Sequence, residues 1–332
     1  MPSYVSSSRR AQFAPVAIVM LTFAAMSIAA DEPWKLSLDA NLTMTFNAYS
    51  DDWAGGESGS LSWASRLEAV AAKQVGKYLH TKNTLKLAFG QTKTQRKDDS
   101  WTAPEKSTDL IDFETRWKSP LGGWVDPYIS VRCVSQFIDL SDTTTNPYYP
   151  YGNPIDITES AGALRELVAK EELSSTLRLG GALQQNIDRW APYLKDTTVI
   201  RDGNRTDTTI ASSNGGKDTI VVTNSGGIEA VVDFEAVLRD GFLKYKTSLK
   251  VYEALFRADS DKLPNHWRYP DVNWENTLTA TIAKYVMISY QLQLLYDKEI
   301  NANARIKQTL AIGLTYGGKY PKPQEKKKDS GS

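Results

Sequence analysis

The side chains best suited to catalysis are scarce in this 332-residue chain. There are two histidines, His80 and His266, and one cysteine, Cys133. A hydrolytic centre needs a histidine held within hydrogen-bond reach of a serine or a carboxylate. His266 has Asp259 and Asp261 in its own segment, but no recognisable motif places them, and His80 stands beside a short turn. A single cysteine can build neither an internal disulfide nor a thiolate metal site. Between Ile200 and Gly216, Asp202-Gly203-Asn204 and Asp207 superficially suggest calcium, yet the ligand spacing and terminal glutamate are missing, so the stretch reads as a surface loop. Pro147-Tyr148-Tyr149-Pro150-Tyr151 suits either stacking on sugar or packing down as a rim cover, and packing is the commoner role of loop aromatics. The expectation is therefore a protein that is not an enzyme, with no catalytic residue, metal or cofactor. With 39 basic and 39 acidic residues in balance, no long-range field draws nucleic acid either.

What remains is charge, and it falls on alternate residues. From Lys35 to Ala48, Leu36, Leu38, Ala40, Leu42, Met44, Phe46 and Ala48 alternate with Lys35, Ser37, Asp39, Asn41, Thr43, Thr45 and Asn47. One apolar and one polar face at period two is strand periodicity, sustained well beyond the usual strand length of about five or six residues. The pattern recurs along the chain, with the segment Ala161 to Lys170 ambiguous, and implies about twelve strands. Short turns at Gly76-Lys77-Tyr78, Ser119 to Gly123, Lys170 to Glu172, Asp240-Gly241 and Lys284-Tyr285-Val286 alternate with longer loops. Those loops are Ser50 to Gly59, Arg96 to Ser107, Ser141 to Ile157, Ala191 to Gly227, Arg257 to Asp271 and Asp297 to Ala304.

These features predict an all-β fold: a transmembrane antiparallel up-and-down β-barrel with short periplasmic turns and long extracellular loops. Asp240-Gly241 is a two-residue hairpin signal that sets Leu238 opposite Leu243, Ala236 opposite Tyr245, Val232 opposite Leu249 and Glu235 opposite Lys246. Apolar then meets apolar and acid meets base, and a slip of one residue would spoil both.

With the apolar register toward lipid, the other lines the lumen. On the first half of the chain it carries Lys35, Asp39, Arg66, Glu68, Asp112, Glu114, Arg116 and Arg132. On the second half it carries Arg178, Asp233, Glu235, Lys246, Lys250, Glu275, Arg305 and Lys307, with Lys86, Lys118, Arg239 and Lys244 in the same phase. So many charges exclude a dry core and require water, mutual ion pairs or both. All nine tryptophans lie near strand ends or in loops. Trp34, Trp63, Trp117, Trp124, Trp190 and Trp274 are the expected interface aromatics.

Upstream of the strands, Arg9-Arg10, the apolar run Ala11 to Ala25 and Ser27-Ile28-Ala29-Ala30 make residues 1–30 a secretory signal peptide. Gln12 departs from a twin-arginine signal, so the general secretory route is expected, with the mature chain starting near Asp31. Residues 31–320 form the barrel, and 321–332, with Lys326-Lys327-Lys328, a disordered periplasmic tail.

Several segments resemble an uncharacterised family of Gram-negative outer-membrane barrels known as a domain of unknown function. Asn47-Ala48-Tyr49 followed by Trp53-Ala54-Gly55-Gly56-Glu57-Ser58 is similar to that family's Trp-x-x-Gly-Gly-Glu loop, with one residue fewer after the tryptophan. Gly90-Gln91-Thr92-Lys93, Ser135-Gln136-Phe137, Trp274-Glu275-Asn276 and Lys284-Tyr285 are also similar. The chain departs from common barrel practice in carrying a tail after Tyr316 and Tyr320 in place of a terminal aromatic. The resemblance implies fold and location, with outer-membrane lipid and the barrel-assembly machinery as partners, and brings no activity. The readings that follow are a channel or transport-type barrel for small polar solutes, or a non-catalytic structural or interaction barrel with an occluded lumen, its outer loops binding a partner or a surface glycan. An outer-membrane enzyme ranks last.

Overall fold

The structure, a computed structural model, describes residues 33–48, 59–96, 100–138, 151–170, 172–190, 195–201, 204–210, 219–239, 241–257, 269–298 and 303–320. The segments expected to be signal peptide and tail, the Trp53 to Ser58 loop, and His266 with Asp259 and Asp261 lie outside these residues.

Among the described residues fourteen strands are formed: β1 (Lys35–Asn47), β2 (Ser60–Val75), β3 (Leu79–Thr94), β4 (Glu105–Lys118), β5 (Asp126–Ser135), β6 (Ile155–Ala169), β7 (Leu173–Trp190), β8 (Lys195–Arg201), β9 (Asn204–Ile210), β10 (Thr219–Leu238), β11 (Leu243–Arg257), β12 (Asp271–Ala283), β13 (Val286–Tyr296) and β14 (Arg305–Tyr320). Twelve close into one barrel in the order β1-β14-β13-β12-β11-β10-β7-β6-β5-β4-β3-β2, and β8 and β9 pair separately. Every neighbouring pair is antiparallel, and β14 meets β1 from Leu36↔Tyr320 to Thr43↔Gly313. Closure satisfies the ladder all round and leaves no open edge, a condition for backbone inside lipid.

The outward face is apolar on all sides. Leu36, Leu38, Leu42, Met44 and Phe46 of β1 are exposed, as are Ile306, Leu310, Ile312 and Leu314 of β14. A soluble protein cannot leave so much contiguous apolar surface in water. Trp34 precedes β1 and lies beneath Lys73, whose Nζ is 5.6 Å from the ring centroid. Trp63 pairs with Met44, ten residues further along β1. At about 3.3 Å per residue and a tilt near 40°, those ten residues rise about 25 Å, the height of an outer-membrane apolar band. A closed barrel with an apolar outer wall and a charged inner one is the architecture of outer-membrane proteins. Ile312→Arg, in the middle of the apolar run of β14 and 62% exposed, places a charge against lipid. Reversible denaturant unfolding in lipid vesicles is expected to show a loss of about 2–4 kcal/mol, and an unchanged midpoint would contradict a lipid-facing register.

Hairpin β10–β11 has Leu238↔Leu243, Ala236↔Tyr245, Glu235↔Lys246 and Val232↔Leu249, the pairs its Asp-Gly turn implies. Gly241 supplies φ 90°, which an L side chain resists. Elsewhere glycine is needed for close approach. Gly162 and Gly180 face each other across β6 and β7. A Cβ on Gly162 would lie 2.1 Å from the Leu179 carbonyl oxygen, and one on Gly180 only 3.0 Å from the Tyr128 hydroxyl.

Three elements differ from the sequence expectation. The ambiguous segment is a full strand, β6; Leu164 is buried in it, and a bulge between Glu166 and Val168 breaks the phase. Residues 219–227, expected in the Ala191 to Gly227 loop, extend β10, with Thr219 opposite Trp190. Part of the remaining connection is not an irregular loop but the hairpin β8–β9, in register from Lys195↔Ile210 to Arg201↔Asn204. The Asp202-Gly203 turn signal that joins its β-branched strands was the available clue.

Candidate functional site: the charged lumen

The inward register of the barrel encloses a cavity of about 350 Å³. Of the lumen residues expected from sequence, Asp39, Arg66, Glu68, Asp112, Glu114, Arg116 and Arg132 line it from β1, β2, β4 and β5. Arg178, Asp233, Glu235, Lys246, Lys250 and Glu275 line it from β7, β10, β11 and β12. Lys35, Arg305 and Lys307 do not reach it, because they stand at strand ends. Lys307 Nζ instead donates to the Ser107 carbonyl, 3.1 Å away on β4.

Lys82 and Glu229 also line the cavity, and sequence reasoning missed both. Lys82 lies at the start of β3 in His80-Thr81-Lys82-Asn83-Thr84, where no apolar residue marks the phase. Extending the phase of Leu85, Leu87 and Phe89 backwards would have placed it inside. Glu229 follows a boundary drawn at Gly227, inside what is in fact β10.

The charges form two kinds of ion pair. Some join near neighbours. Arg132 donates Nε and Nη2 to the two carboxylate oxygens of Asp112, both at 2.8 Å. Arg178 of β7 approaches Asp233 on adjacent β10 at 3.6 Å and also reaches Glu114 of β4, three strands away around the ring, at 2.5 Å. Lys250 binds Glu229 at 2.7 Å.

Others cross the lumen. Lys244 of β11 meets Asp39 of β1 at 2.9 Å, and Lys246 of β11 meets Glu68 of β2 at 2.7 Å. Lys86 of β3 meets Glu275 of β12 at 3.5 Å. Glu235 sits behind the two lysines, 3.5 Å from Lys244 and 4.0 Å from Lys246. We call this group the crossbar.

Its geometry sets the shape of the barrel. Twelve strands about 4.8 Å apart and tilted by about 40° would wrap a circle about 24 Å across. A lysine and a glutamate touching tip to tip span at most about 14 Å between Cα atoms, from standard bond lengths. The crossbar partners are four or five strands apart around the ring of twelve, so they can touch only if the cross-section is oval. The β1–β3 wall and the β11–β12 wall are its near sides, and the crossbar spans the gap between them.

The expected interface aromatics fall toward the two ends. Trp34, Trp117 and Trp124 lie toward the short turns; Trp124 carries Arg165 over its ring at 5.5 Å. Trp63 and Trp274 lie toward the long connections. Trp63 is 5.9 Å from Phe89, and Trp274 Nε1 donates to Thr247 Oγ1 at 3.0 Å. Trp190 ends β7, and its side chain lies outside the described residues. Among the described residues no cluster of three or more histidine, cysteine or carboxylate side chains could hold a metal ion.

No curated protein matches the sequence. Among solved structures, an outer membrane channel from Pseudomonas putida F1 is similar at 11% identity with a TM-score of 0.36, over 89% of this chain and 98% of that one. The translocator domain of the autotransporter NalP from Neisseria meningitidis is similar at 12% identity with a TM-score of 0.33, over 91% of this chain and 96% of that one. Pseudomonas putida OprB is similar at 9% identity with a TM-score of 0.25, over 87% and 94%. A family profile described as "Protein of unknown function (DUF3078)" matches residues 44–139, from the end of β1 through β5.

Proposed function

We propose that this chain is an outer-membrane barrel of transport type, passing small polar solutes along the charged inner wall, with the crossbar as its constriction. The carrying observation is the wall itself: acids and bases from nine strands converge on one cavity, a lining that only water or polar solute can occupy. In this reading the lumen residues named from sequence set selectivity. The short turns, both chain ends and the tail face the periplasm, the signal peptide has been removed, and the assembly machinery inserts the barrel. The wall offers hydration and charge compensation, which suits a conduit.

The test is conductance of the purified protein in a planar bilayer. Small, discrete current steps are expected, because the crossbar leaves only a narrow path. The crossbar also favours a second reading, a structural barrel with a sealed lumen. A membrane that stays silent at every voltage and salt concentration, with the crossbar intact and with it removed, would establish that reading and overturn transport.

A further inference from the structure

The crossbar and the neighbouring pairs account for every acid on the cavity wall, eight in all: each has a basic partner within 4.0 Å. The bases are not all accounted for. Like the solitary Arg66 of β2, Lys82 of β3 and Arg116 of β4 have no hydrogen-bond or ion-pair partner among the described residues, yet both line the cavity. They are also direct cross-strand partners. Like charges directly opposite each other are destabilising, and neither flank of the pair supplies an acid in contact, Asp233 and Glu114 acting on both cations only from beyond ion-pair distance. Lys82 is bordered on β2 by Ala72, and Arg116 on β5 by Ser130, whose hydroxyl is shared with Ser160 at 2.8 Å. The nearest acid along the strand, Glu114, is committed to Arg178 at 2.5 Å. The pair lies on the short-turn side of Lys86 and hence of the crossbar.

We propose that Lys82 and Arg116 form a binding site for a small dianionic oxyanion, a dicarboxylate or a phosphate. The guanidinium offers a planar fork of donors that matches two oxygens of a carboxylate or phosphate, and the ammonium adds a compact second charge. A dianion cancels both charges and removes the repulsion between them. A cavity of about 350 Å³ holds such an ion with several waters, each occupying about 30 Å³ of liquid. The inference deepens the transport reading by naming a solute class and takes its physiological meaning from it, whereas the site itself can be tested without any current.

The experiment titrates the folded barrel in detergent with sodium succinate and, separately, with inorganic phosphate, against chloride at matched ionic strength, reading heat of binding and unfolding midpoint. For the wild type, saturable binding and a raised midpoint are expected with at least one of the two. Lys82→Met/Arg116→Met should lose both responses and, freed of repulsion, should unfold no lower than the wild type without ligand. The single variants Lys82→Gln and Arg116→Gln provide the same comparison with a smaller change. Lys77→Met, which removes a cation of the short turn before β3 that is outside the cavity lining, should keep both responses. Equal responses in the wild type and the double variant, or no saturable response in the wild type, would overturn the site. A barrel that conducts but ignores both anions loses this inference and keeps the transport reading; one that binds them but never conducts does the reverse.

Discussion

Removing the crossbar is expected to raise single-channel conductance severalfold. In Glu68→Gln/Lys246→Met the near-opposite walls lose the 2.7 Å contact that bridges β2 and β11, and water fills the gap. Removing both partners together is essential to the design. A lone substitution leaves its partner as an uncompensated charge, which can swing to Glu235 or to Lys86 and close the path in another way. The ion pairs themselves contribute little to stability, since each is part-exposed to lumen water and such pairs are worth about 0–1 kcal/mol. The double variant should therefore fold with a near-native midpoint while its conductance changes. Raising ionic strength should produce a weaker version of the same opening in the wild type, because salt screens part-exposed pairs. Current steps identical in size to those of the wild type would show that the crossbar is not the constriction.

The second large effect is on stability. Asp112→Ala removes the carboxylate that Arg132 holds through two 2.8 Å bonds, at a place where the Asp112 side chain is only 6% exposed. Breaking a buried pair by taking away one partner typically costs about 3–5 kcal/mol, because the other charge stays buried and unpaired. Urea unfolding in lipid vesicles should show a loss of that order. Replacing both, as Asp112→Leu/Arg132→Met, should recover most of it, since two apolar side chains of similar volume avoid the orphaned charge. Equal losses in the single and double variants would indicate that packing of the residues, not their pairing, holds this wall.

Much of the fold was legible because a strand states its two faces locally. Leu36 to Phe46 write the lipid face and Lys35 to Asn47 the lumen face without reference to anything distant, and the Asp-Gly turn sets the β10–β11 register from within a few residues. Legibility failed where that local code is diluted. In β6, Leu164 points inward, Gly162 has no side chain and a bulge reverses the phase. At the start of β3, Lys82 lies among polar residues with no apolar neighbour to mark which way it faces. In β8–β9, the Asp-Gly turn was weighed as a possible ligand loop before its flanking β-branched residues were weighed as strands.

The sequence by itself determined that the inner register is charged, since that follows from residue order at period two. Only the tertiary structure decided which charges meet. Lys244 and Asp39 are 205 residues apart, and Lys246 and Glu68 are 178 apart. Their contact depends on ring order, on closure of β14 against β1 and on an oval cross-section, and no periodicity encodes these. The same closure leaves Lys82 and Arg116 without an acid in ion-pair contact, because the reach of a side chain across the lumen is set by the distance between walls and not by its neighbours in the chain.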